Sequence, residues 1–587
     1  MIPKRKSFSP LLLALVAACS PPGAAPSEST TSGSVTTSGD GDTSNATTSS
    51  TTGTSAGTTA GDTSNDTATG GDGDGDTIPG EAPGGVKLNG SPEYYGVVRL
   101  THEQWKNSIQ DIFSSSDATG ELIDTLYPDP PSGTFSNNEK GLYVGAELWA
   151  DYQRSVEEIA ETVVNDDAAI STLGGLSNAT GFIERVGRRA YRRALTSEES
   201  TKYQALWAEG ATFYASGDAG KDGARIFVRA LLQSPQFVYR TETAEHGTRL
   251  SGLELAAKLS LLLRNTTPSE ELLTAAESGE LDTDAGLTSL VTTMLAEDDA
   301  KAALLGFHTT LYGLDRYRNI EKSATTFPEF TETAKVSLQA ADSMFFDAIY
   351  SQDGGFRDIL TSPLAFVNSD IASAYGLQSN STELTQVTLD GSRPGFLTRA
   401  GFLTYNASLS QSDPIHRGVD INLKMLCKEL SPPPGTIPPL PDPIPGQSNR
   451  ERVEAHTGDA ICAQCHKTII NPLGFAFENF DALGHVRTEE AGKPVNTADS
   501  YEFNDGIQSF NDSGELIAIL ADHQQTHSCY SARLTEFLLA RDLASLEEAL
   551  VTTVFESSFT DSASIRQMVL STILDPMFTH AQAGDAQ

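Results

Sequence analysis

The sequence predicts a mainly α-helical protein that has several folded modules and a disordered N-terminal tether. Beyond about residue 88, apolar residues recur at spacings of three and four, which is the period of an amphipathic helix. Capping-box patterns, in which Ser or Thr is followed three residues later by Glu or Gln, mark helix starts at Thr101, Thr196 and Ser251. The 587 residues are too many for one hydrophobic core, so several packed modules are expected.

The N-terminus has the parts of an export signal, predicted to span residues 1–18. Three basic residues at positions 4–6 precede an apolar run that is too short to span a bilayer. Val16-Ala17-Ala18-Cys19 resembles a bacterial lipobox, which implies cleavage before Cys19 and lipid attachment to its thiol. We therefore expect a lipid-anchored protein of the bacterial cell envelope that faces the periplasm or the cell surface. The lipid is its only expected membrane contact, and the outer membrane is favoured because Ser20 is not acidic. Ordinary secretion with an incidental Cys19 is the alternative.

A linker is predicted over residues 19–86. Ser, Thr, Gly, Asp and Ala dominate this stretch, and large apolar residues are almost missing from it. Such a composition cannot bury enough apolar surface to offset the entropy of the chain. The stretch is therefore expected to be a disordered tether between the lipid anchor and the folded modules.

The composition is strongly acidic, with 78 acidic and 40 basic residues and a formal net charge of −38. Binding to a phosphate backbone needs clustered Lys and Arg, so nucleic acid is not an expected partner. The densest basic cluster comprises Arg188, Arg189, Arg192 and Arg193. We predict that it forms a solvated face whose arginines pair with carboxylates.

Cys462-Ala463-Gln464-Cys465-His466 has the spacing at which c-type haem is attached. Two thiols three positions apart reach both vinyl groups of one porphyrin, and His466 supplies an axial ligand to the iron. We therefore expect one covalent haem c bound by Cys462, Cys465 and His466. Export supports this prediction, because c-type haem is normally attached outside the bacterial cytoplasm.

The sixth ligand of such a haem iron has three candidates, which are His485, His456 and Met568. A filled sixth position makes an electron carrier, whereas an open position permits peroxide or oxygen chemistry. The sequence does not select between these two outcomes, so no catalytic residue is assigned.

Two structural alternatives compete with haem for the Cys-x-x-Cys-His sequence. One is a local disulfide between Cys462 and Cys465. The other is a zinc site that combines these thiols with His523 and His527. The long gap between the two halves disfavours zinc, and His523 and His527 are predicted to be surface histidines.

Cysteine parity suggests one disulfide. If Cys19 carries lipid and the Cys462/Cys465 pair carries haem, Cys427 and Cys529 remain, and an oxidising compartment allows them to pair. The bridge would close a loop of about 100 residues, for which chain entropy gives a stabilisation of about 4 to 5 kcal/mol. Two buried free thiols are the alternative.

Several motifs after residue 88 share their order with one known family. They are Arg99-Leu100-Thr101-His102-Glu103-Gln104-Trp105, Gly187-Arg188-Arg189-Ala190-Tyr191-Arg192-Arg193, Ser234-Pro235-Gln236-Phe237-Val238-Tyr239-Arg240, Phe366-Val367-Asn368, Arg417-Gly418, the Cys-x-x-Cys-His sequence with Asn471-Pro472-Leu473-Gly474-Phe475, and Cys529 with Arg541. Together they resemble a multidomain family of unknown function from planctomycetes and myxobacteria, which has PSD-type domains and a PSCyt, or planctomycete cytochrome c-like, domain.

The resemblance implies five modules, four of them PSD-type helical domains and one a cytochrome c-like haem module. The PSD-type domains are expected at 87–168, 176–240, 245–380 and 508–580, and the cytochrome c-like domain at 391–497. The family pattern leads us to expect Asp at position 471, and the Asn471 of this chain departs from it. The family brings no established substrate, so function has to be argued from the site.

The function expected from these observations is that of a surface-anchored c-type haem lipoprotein. It would transfer electrons, or carry out haem-dependent redox chemistry, outside the cytoplasmic membrane, with an exported redox partner or another surface protein as its partner. The alternative is a non-redox cell-surface interaction protein, or a polysaccharide-associated protein, in which the Cys-x-x-Cys-His sequence is structural.

Overall fold

A computed structural model describes residues 80–92, 94–115, 119, 126, 129, 133–432, 438–560 and 563–582. The predicted signal peptide, Cys19 and the linker up to residue 79 lie outside the described residues. Within the described part the protein is mainly helical, as the sequence predicts. None of the helices in this part is long and apolar enough to cross a membrane.

The end of the predicted linker is folded, so the prediction of disorder is wrong for residues 80–86. Strand β1 (Gly80–Ala82) pairs antiparallel with β2 (Val86–Leu88). Ala82 and Val86 are buried, in a core shared with the C-terminal helices. The turn between the strands contains Gly84 in the left-handed region, where an added Cβ would collide with the backbone of Gln525. Glycine lets the hairpin approach the helix closely, so the hairpin packs there with only a few apolar residues of its own.

The first group of helices packs around one hydrophobic core. Its members are α1 His102–Phe113, α2 Ala146–Asn165, α3 Asp167–Thr172, α4 Ala179–Tyr191, α5 Ser197–Tyr214, α6 Ala219–Leu232 and α7 Pro235–Val238. Strands β3 (Val97–Arg99) and β4 (Tyr239–Thr241) pair antiparallel and join the two ends of this group. The modules predicted separately before and after residue 170 therefore share one core.

The second group runs from Leu250 to Ala581 and shares a larger core. Its first helices are α8 Gly252–Leu263, α9 Glu270–Glu277, α10 Asp284–Met294, α11 Asp298–Tyr312, α12 Glu332–Ser351 and α13 Phe356–Thr361. Strands β5 (Leu364–Val367) and β6 (Thr385–Thr388) form an antiparallel pair after them.

Short helices form the segment that carries the Cys-x-x-Cys-His sequence. They are α14 Ala400–Tyr405, α15 Pro414–Lys424, α16 Asn449–His456, α17 Ala460–Cys465, a π-helix at His466–Ile470 and α18 Asn471–Phe475. Two small antiparallel pairs follow, β7 (Glu489–Glu490) with β8 (Lys493–Pro494) and β9 (Asp499–Phe503) with β10 (Gly506–Phe510). The last helices of the described residues are α19 Ser513–Asp522, α20 Gln524–Leu539, α21 Glu548–Ser558, α22 Ile565–Leu574 and α23 Pro576–Thr579.

All three predicted capping boxes are confirmed. Thr101, Thr196 and Ser251 are the N-caps of α1, α5 and α8, and each exchanges reciprocal hydrogen bonds with the Gln or Glu three residues later. These bonds satisfy N–H groups that a helix start leaves without intrahelical partners. Local sequence is therefore sufficient to place these helix starts.

The predicted pairing with carboxylates is confirmed for three arginines, although their side chains are only partly exposed, and the prediction is wrong for Arg192. Arg188, Arg189 and Arg193 are ion-paired with Glu270 and Glu277, Asp111, and Glu199, respectively. Arg192 is only 5% exposed, and its guanidinium donates to the carbonyl oxygens of residues 236, 237 and 239. Its buried guanidinium satisfies the carbonyl groups at the end of α7. The pattern of charged residues in the sequence does not reveal this role.

Candidate haem-attachment site

The Cys-x-x-Cys-His sequence lies where an α-helix changes into a π-helix. The two cysteines belong to α17, and His466 begins the π-helix that leads into α18. Pro472 lacks an N–H and cannot donate the α-helical bond to Thr468. The N–H of Asn471 instead donates to the carbonyl of His466, five residues earlier. Short π-helical segments of this kind are rare in proteins, and many of those that occur are found at functional sites.

Both cysteines of the sequence are free thiols. Cys462 is exposed and Cys465 is half-buried. Residues three apart lie on one face of a helix, so the two thiols are presented together. Ile461, beside them, is 67% exposed and adds an apolar side chain to this surface. The disulfide alternative is not formed, and both sulfurs are available for bonds to another group.

The imidazole of His466 is held from one side. Its Nδ1 lies 2.9 Å from Oδ1 of Asn471. The Asn471 amide nitrogen in turn donates to Oγ1 of Thr457 at 3.0 Å, and the Thr457 hydroxyl donates to the carbonyl of Val453 at 2.8 Å. Among the described residues, Nε2 of His466 has no hydrogen-bond partner. This nitrogen is therefore free to coordinate a metal.

Helix α15 braces the π-helix from behind. The Asn422 side chain is fully buried and donates to the carbonyl of Ile469 at 2.9 Å, while its oxygen accepts from the Tyr501 hydroxyl at 2.7 Å. Gly418 allows the close approach, because an added Cβ would collide with the carbonyl oxygen of Ile470. A buried side-chain donor thus bonds a backbone carbonyl of the π-helix within the core.

A second brace is formed by Arg417, whose guanidinium is fully buried. It donates to the carbonyl oxygens of Phe477 at 2.9 Å and Asp481 at 2.9 Å, just beyond α18. Desolvation lowers the pKa of Arg417 to about 10, so the group stays charged at neutral pH. Gly474 completes the contact, because a Cβ there would collide with the carbonyl oxygen of Pro414. These contacts give a physical reason for the Arg417-Gly418 and Asn471-to-Phe475 motifs.

The three candidate sixth ligands lie in different surroundings. His485 is half-buried, and its Nδ1 lies 2.9 Å from Asp481, whose hydrogen bond raises the pKa of His485. His456 ends α16 directly before Thr457 and is half-buried. Met568 is fully buried in α22, whose principal contacts are with α10, α20, α21 and α23. Met568 thus belongs to the core of the C-terminal helices, and the sixth ligand stays a prediction.

The histidines of the zinc alternative are already engaged. The prediction that they lie on the surface is wrong, because His523 is 6% and His527 is 0% exposed. His523 caps α20 and pairs with Asp505 at 2.9 Å, and His527 contacts the hydroxyl of Ser558 at 2.7 Å. Desolvation lowers the pKa of His527. No group of three or more His, Cys, Asp or Glu within the described ranges is arranged to hold a metal ion.

Cys427 and Cys529 form the pairing that parity suggests. They are joined by a disulfide with a Cα–Cα distance of 5.4 Å and a separation of 102 residues. The bridge links the segment after α15 to α20. It therefore connects the helix that braces the π-helix to the C-terminal helices.

Comparison with known families identifies the class of protein to which this helical, Cys-x-x-Cys-His-containing chain belongs. Four domain families match, each described as a protein of unknown function. They are PSD3 (DUF1587) at 99–165, PSD5 (DUF1595) at 178–242, PSD4 (DUF1592) at 250–377 and PSCyt3 (DUF1588) at 393–490. The chain therefore belongs to the multidomain family with PSD and PSCyt domains that its motifs resemble. No curated protein and no solved structure matches it.

The PSCyt3 match contains the whole Cys-x-x-Cys-His site, and the name of the domain points to a cytochrome-like module. Sequence reasoning missed two residues of this site, Thr457 and Asn422. Their roles depend on contacts across separate helices, which composition and spacing do not report. For Asn471 a signal was present, because it directly precedes a proline and lies five residues after the histidine.

Proposed function

We propose that this protein is a c-type haem lipoprotein that transfers electrons outside the cytoplasmic membrane. The observation that carries the proposal is the arrangement at 462–466, where an exposed and a half-buried free thiol precede an imidazole whose Nε2 has no hydrogen-bond partner in the part of the chain that the structure describes. The cytochrome-like name of the matching domain supports it. The export signal and the lipobox at Cys19 agree with the compartment in which such haem is attached.

The residues present fit a covalent haem. Both thiols can reach a group on the solvent side of α17, and Nδ1 of His466 already has a partner, so Nε2 is the nitrogen left for iron. Zinc is less well supported, because His523 and His527 are engaged in buried hydrogen bonds. A Cys462–Cys465 disulfide is less well supported because both thiols are free.

Haem c, when bound, supplies a one-electron couple between ferric and ferrous iron. Cys462 and Cys465 would hold its ring through thioethers, and Nε2 of His466 would be the axial ligand. Asn422 and Arg417 hold the backbone on both sides of the π-helix through buried hydrogen bonds. A backbone fixed in this way keeps the imidazole in one position while the charge of the site changes.

The charge of the chain favours a basic redox partner. With 78 acidic and 40 basic residues, the protein attracts positively charged proteins by long-range electrostatics. We expect an exported partner whose association slows as the salt concentration rises. The lipid at Cys19 would keep the haem module at the outer membrane, where such a partner can reach it.

The reduced-minus-oxidised visible spectrum tests the redox function. The soluble part of the protein would be exported in a bacterial host that has haem-maturation machinery, and we expect the spectrum of one c-type haem. Cys462→Ser with Cys465→Ser should abolish it. The matched control, Cys427→Ser with Cys529→Ser, should retain it, because attachment needs only the Cys-x-x-Cys-His sequence. A wild-type protein without haem, in a host that matures a reference cytochrome, would overturn the proposal and favour a non-redox surface function.

Membrane fractionation of the full chain tests the anchor. Cys19→Ser should leave the precursor uncut or release a soluble protein, and it should abolish incorporation of labelled palmitate. Processed Cys19→Ser protein that still sediments with outer membranes would refute the lipid anchor. The haem spectrum is measured separately, so either part of the proposal can fail alone.

A further inference from the structure

A directed chain of hydrogen bonds runs from a helix end to the imidazole of His466. Its members are the carbonyl of Val453, the hydroxyl of Thr457, the amide of Asn471 and Nδ1 of His466. The three successive distances are 2.8, 3.0 and 2.9 Å. Val453 and Thr457 are one turn apart in and just beyond α16, so the chain connects this helix to the π-helix.

The direction of the chain determines which imidazole nitrogen carries the proton. A threonine hydroxyl has one proton, and here it is donated to the Val453 carbonyl. The Thr457 oxygen must then accept from the amide NH₂ of Asn471, which turns the amide oxygen towards His466. Because that oxygen can only accept, Nδ1 of His466 is the donor. The neutral imidazole therefore has its lone pair on Nε2, the nitrogen that an iron would bind.

Burial makes this direction costly to reverse. Val453, Thr457 and Asn471 are 0%, 5% and 4% exposed. A buried polar group that loses its partner is not compensated by water, so each member of the chain depends on the next. The π-helix contributes as well, because it brings side chains five residues apart onto one face. An ordinary α-helix would place Asn471 away from His466.

The chemical identity of Asn471 also matters. A carboxylate at this position would accept the Nδ1 proton in a charge-assisted bond and would make the imidazole a stronger electron donor. A stronger donor stabilises ferric iron relative to ferrous iron. The neutral amide of Asn471 orients the ring without that added donation.

We propose that Asn471 is a positioning residue that holds His466 in the iron-binding tautomer and keeps the reduction potential above the value that an aspartate would give. Thr457 fixes the orientation of the Asn471 amide. The inference rests on the proposed attachment of haem. It concerns the side of the imidazole that faces away from the iron.

The test measures the midpoint potential of haem-loaded wild-type protein and variants. Asn471→Asp should favour the ferric form by about tenfold, which lowers the midpoint potential by about 59 mV for a one-electron couple. Asn471→Leu should raise the midpoint potential, and Thr457→Val should raise it by a smaller amount. Asn406→Leu is the matched control, because Asn406 is a buried asparagine of the same segment that bonds Asp420 instead.

A wild-type midpoint potential in all three variants, with haem attached, would overturn the role of Asn471 and leave the proposed function standing. A wild-type protein that does not take up haem would overturn the proposed function instead. Long-range ¹⁵N–¹H spectra of histidine-labelled apoprotein provide a second readout that needs no haem. They should show the Nδ1-protonated tautomer at His466, and an Nε2-protonated ring would contradict the inference. If Asn471→Leu does not fold, Asn471→Asp and Thr457→Val still test the positioning role of Asn471.

Discussion

The disulfide between Cys427 and Cys529 is expected to contribute several kcal/mol to the stability of the C-terminal half. Its loop of 102 residues is long, and in the chain-entropy account a loop of this size gives about 4.7 kcal/mol. The backbone of Cys427 has a φ of +47°, which costs a non-glycine residue about 1 kcal/mol. The bridge therefore holds a locally unfavourable backbone in place as well as constraining the unfolded chain.

Two double variants separate these contributions. Cys427→Ser with Cys529→Ala removes the bridge and keeps the left-handed backbone unfavourable, so the free energy of unfolding should fall by about 2 to 5 kcal/mol. Cys427→Gly with Cys529→Ala also removes the bridge but relieves the backbone, so it should recover about 1 kcal/mol.

Urea unfolding of the apoprotein, followed by far-ultraviolet circular dichroism, provides the measurement, because the three tryptophans all lie before residue 210 and do not report on the C-terminal half. Cys462→Ser with Cys465→Ser is the matched control and should leave the unfolding free energy unchanged. A loss below about 1 kcal/mol on removing the bridge would refute the reasoning. Free thiols at 427 and 529 in non-reducing peptide maps of exported protein would refute the bridge itself.

Three further predictions concern buried groups. Asn422→Leu leaves the Ile469 carbonyl without its side-chain donor and should lower the free energy of unfolding by about 1 to 3 kcal/mol in urea titrations; an unchanged value would contradict the brace. Gly474→Ala places a methyl group against the Pro414 carbonyl and should cost about 3 kcal/mol, seen as a lower melting temperature, whereas wild-type melting would contradict the close contact. Burial raises the pKa of Asp342 from near 3.8 to about 7, so its contribution to stability is present below about pH 4 and is lost as the pH rises to 7. Asp342→Asn should remove that loss, on the order of 4 kcal/mol at pH 8, and equal pH profiles for the two proteins would refute it.

Local features of the sequence predicted local structure well. The capping boxes at Thr101, Thr196 and Ser251 are formed as expected, because both partners of each box lie within one turn. The motifs also led to the correct family, since short runs of residues carry the resemblance. Predictions of this kind need no knowledge of how distant segments meet.

Predictions that depended on tertiary contacts were less successful. His523 and Arg192 were expected in solvent, but both are buried; His523 pairs with Asp505, and Arg192 donates to backbone carbonyls such as that of Phe237. Residues 80–86 were expected to be disordered, yet they pack on helices more than 400 positions away. Thr457 was missed for the same reason, because it meets Asn471 only when the end of α16 lies next to the start of α18. Composition and periodicity do not show which distant segments of the chain come into contact.

The mass of the intact exported protein tests the central proposal most directly. After export in a host that matures c-type cytochromes, the chain should exceed the mass of its processed polypeptide by one haem. Peptide mapping should place both thioethers on Cys462 and Cys465, and His466→Ala should retain the added mass while its spectrum changes. A processed protein with the mass of the bare polypeptide, made beside a fully matured reference cytochrome, would contradict the proposal.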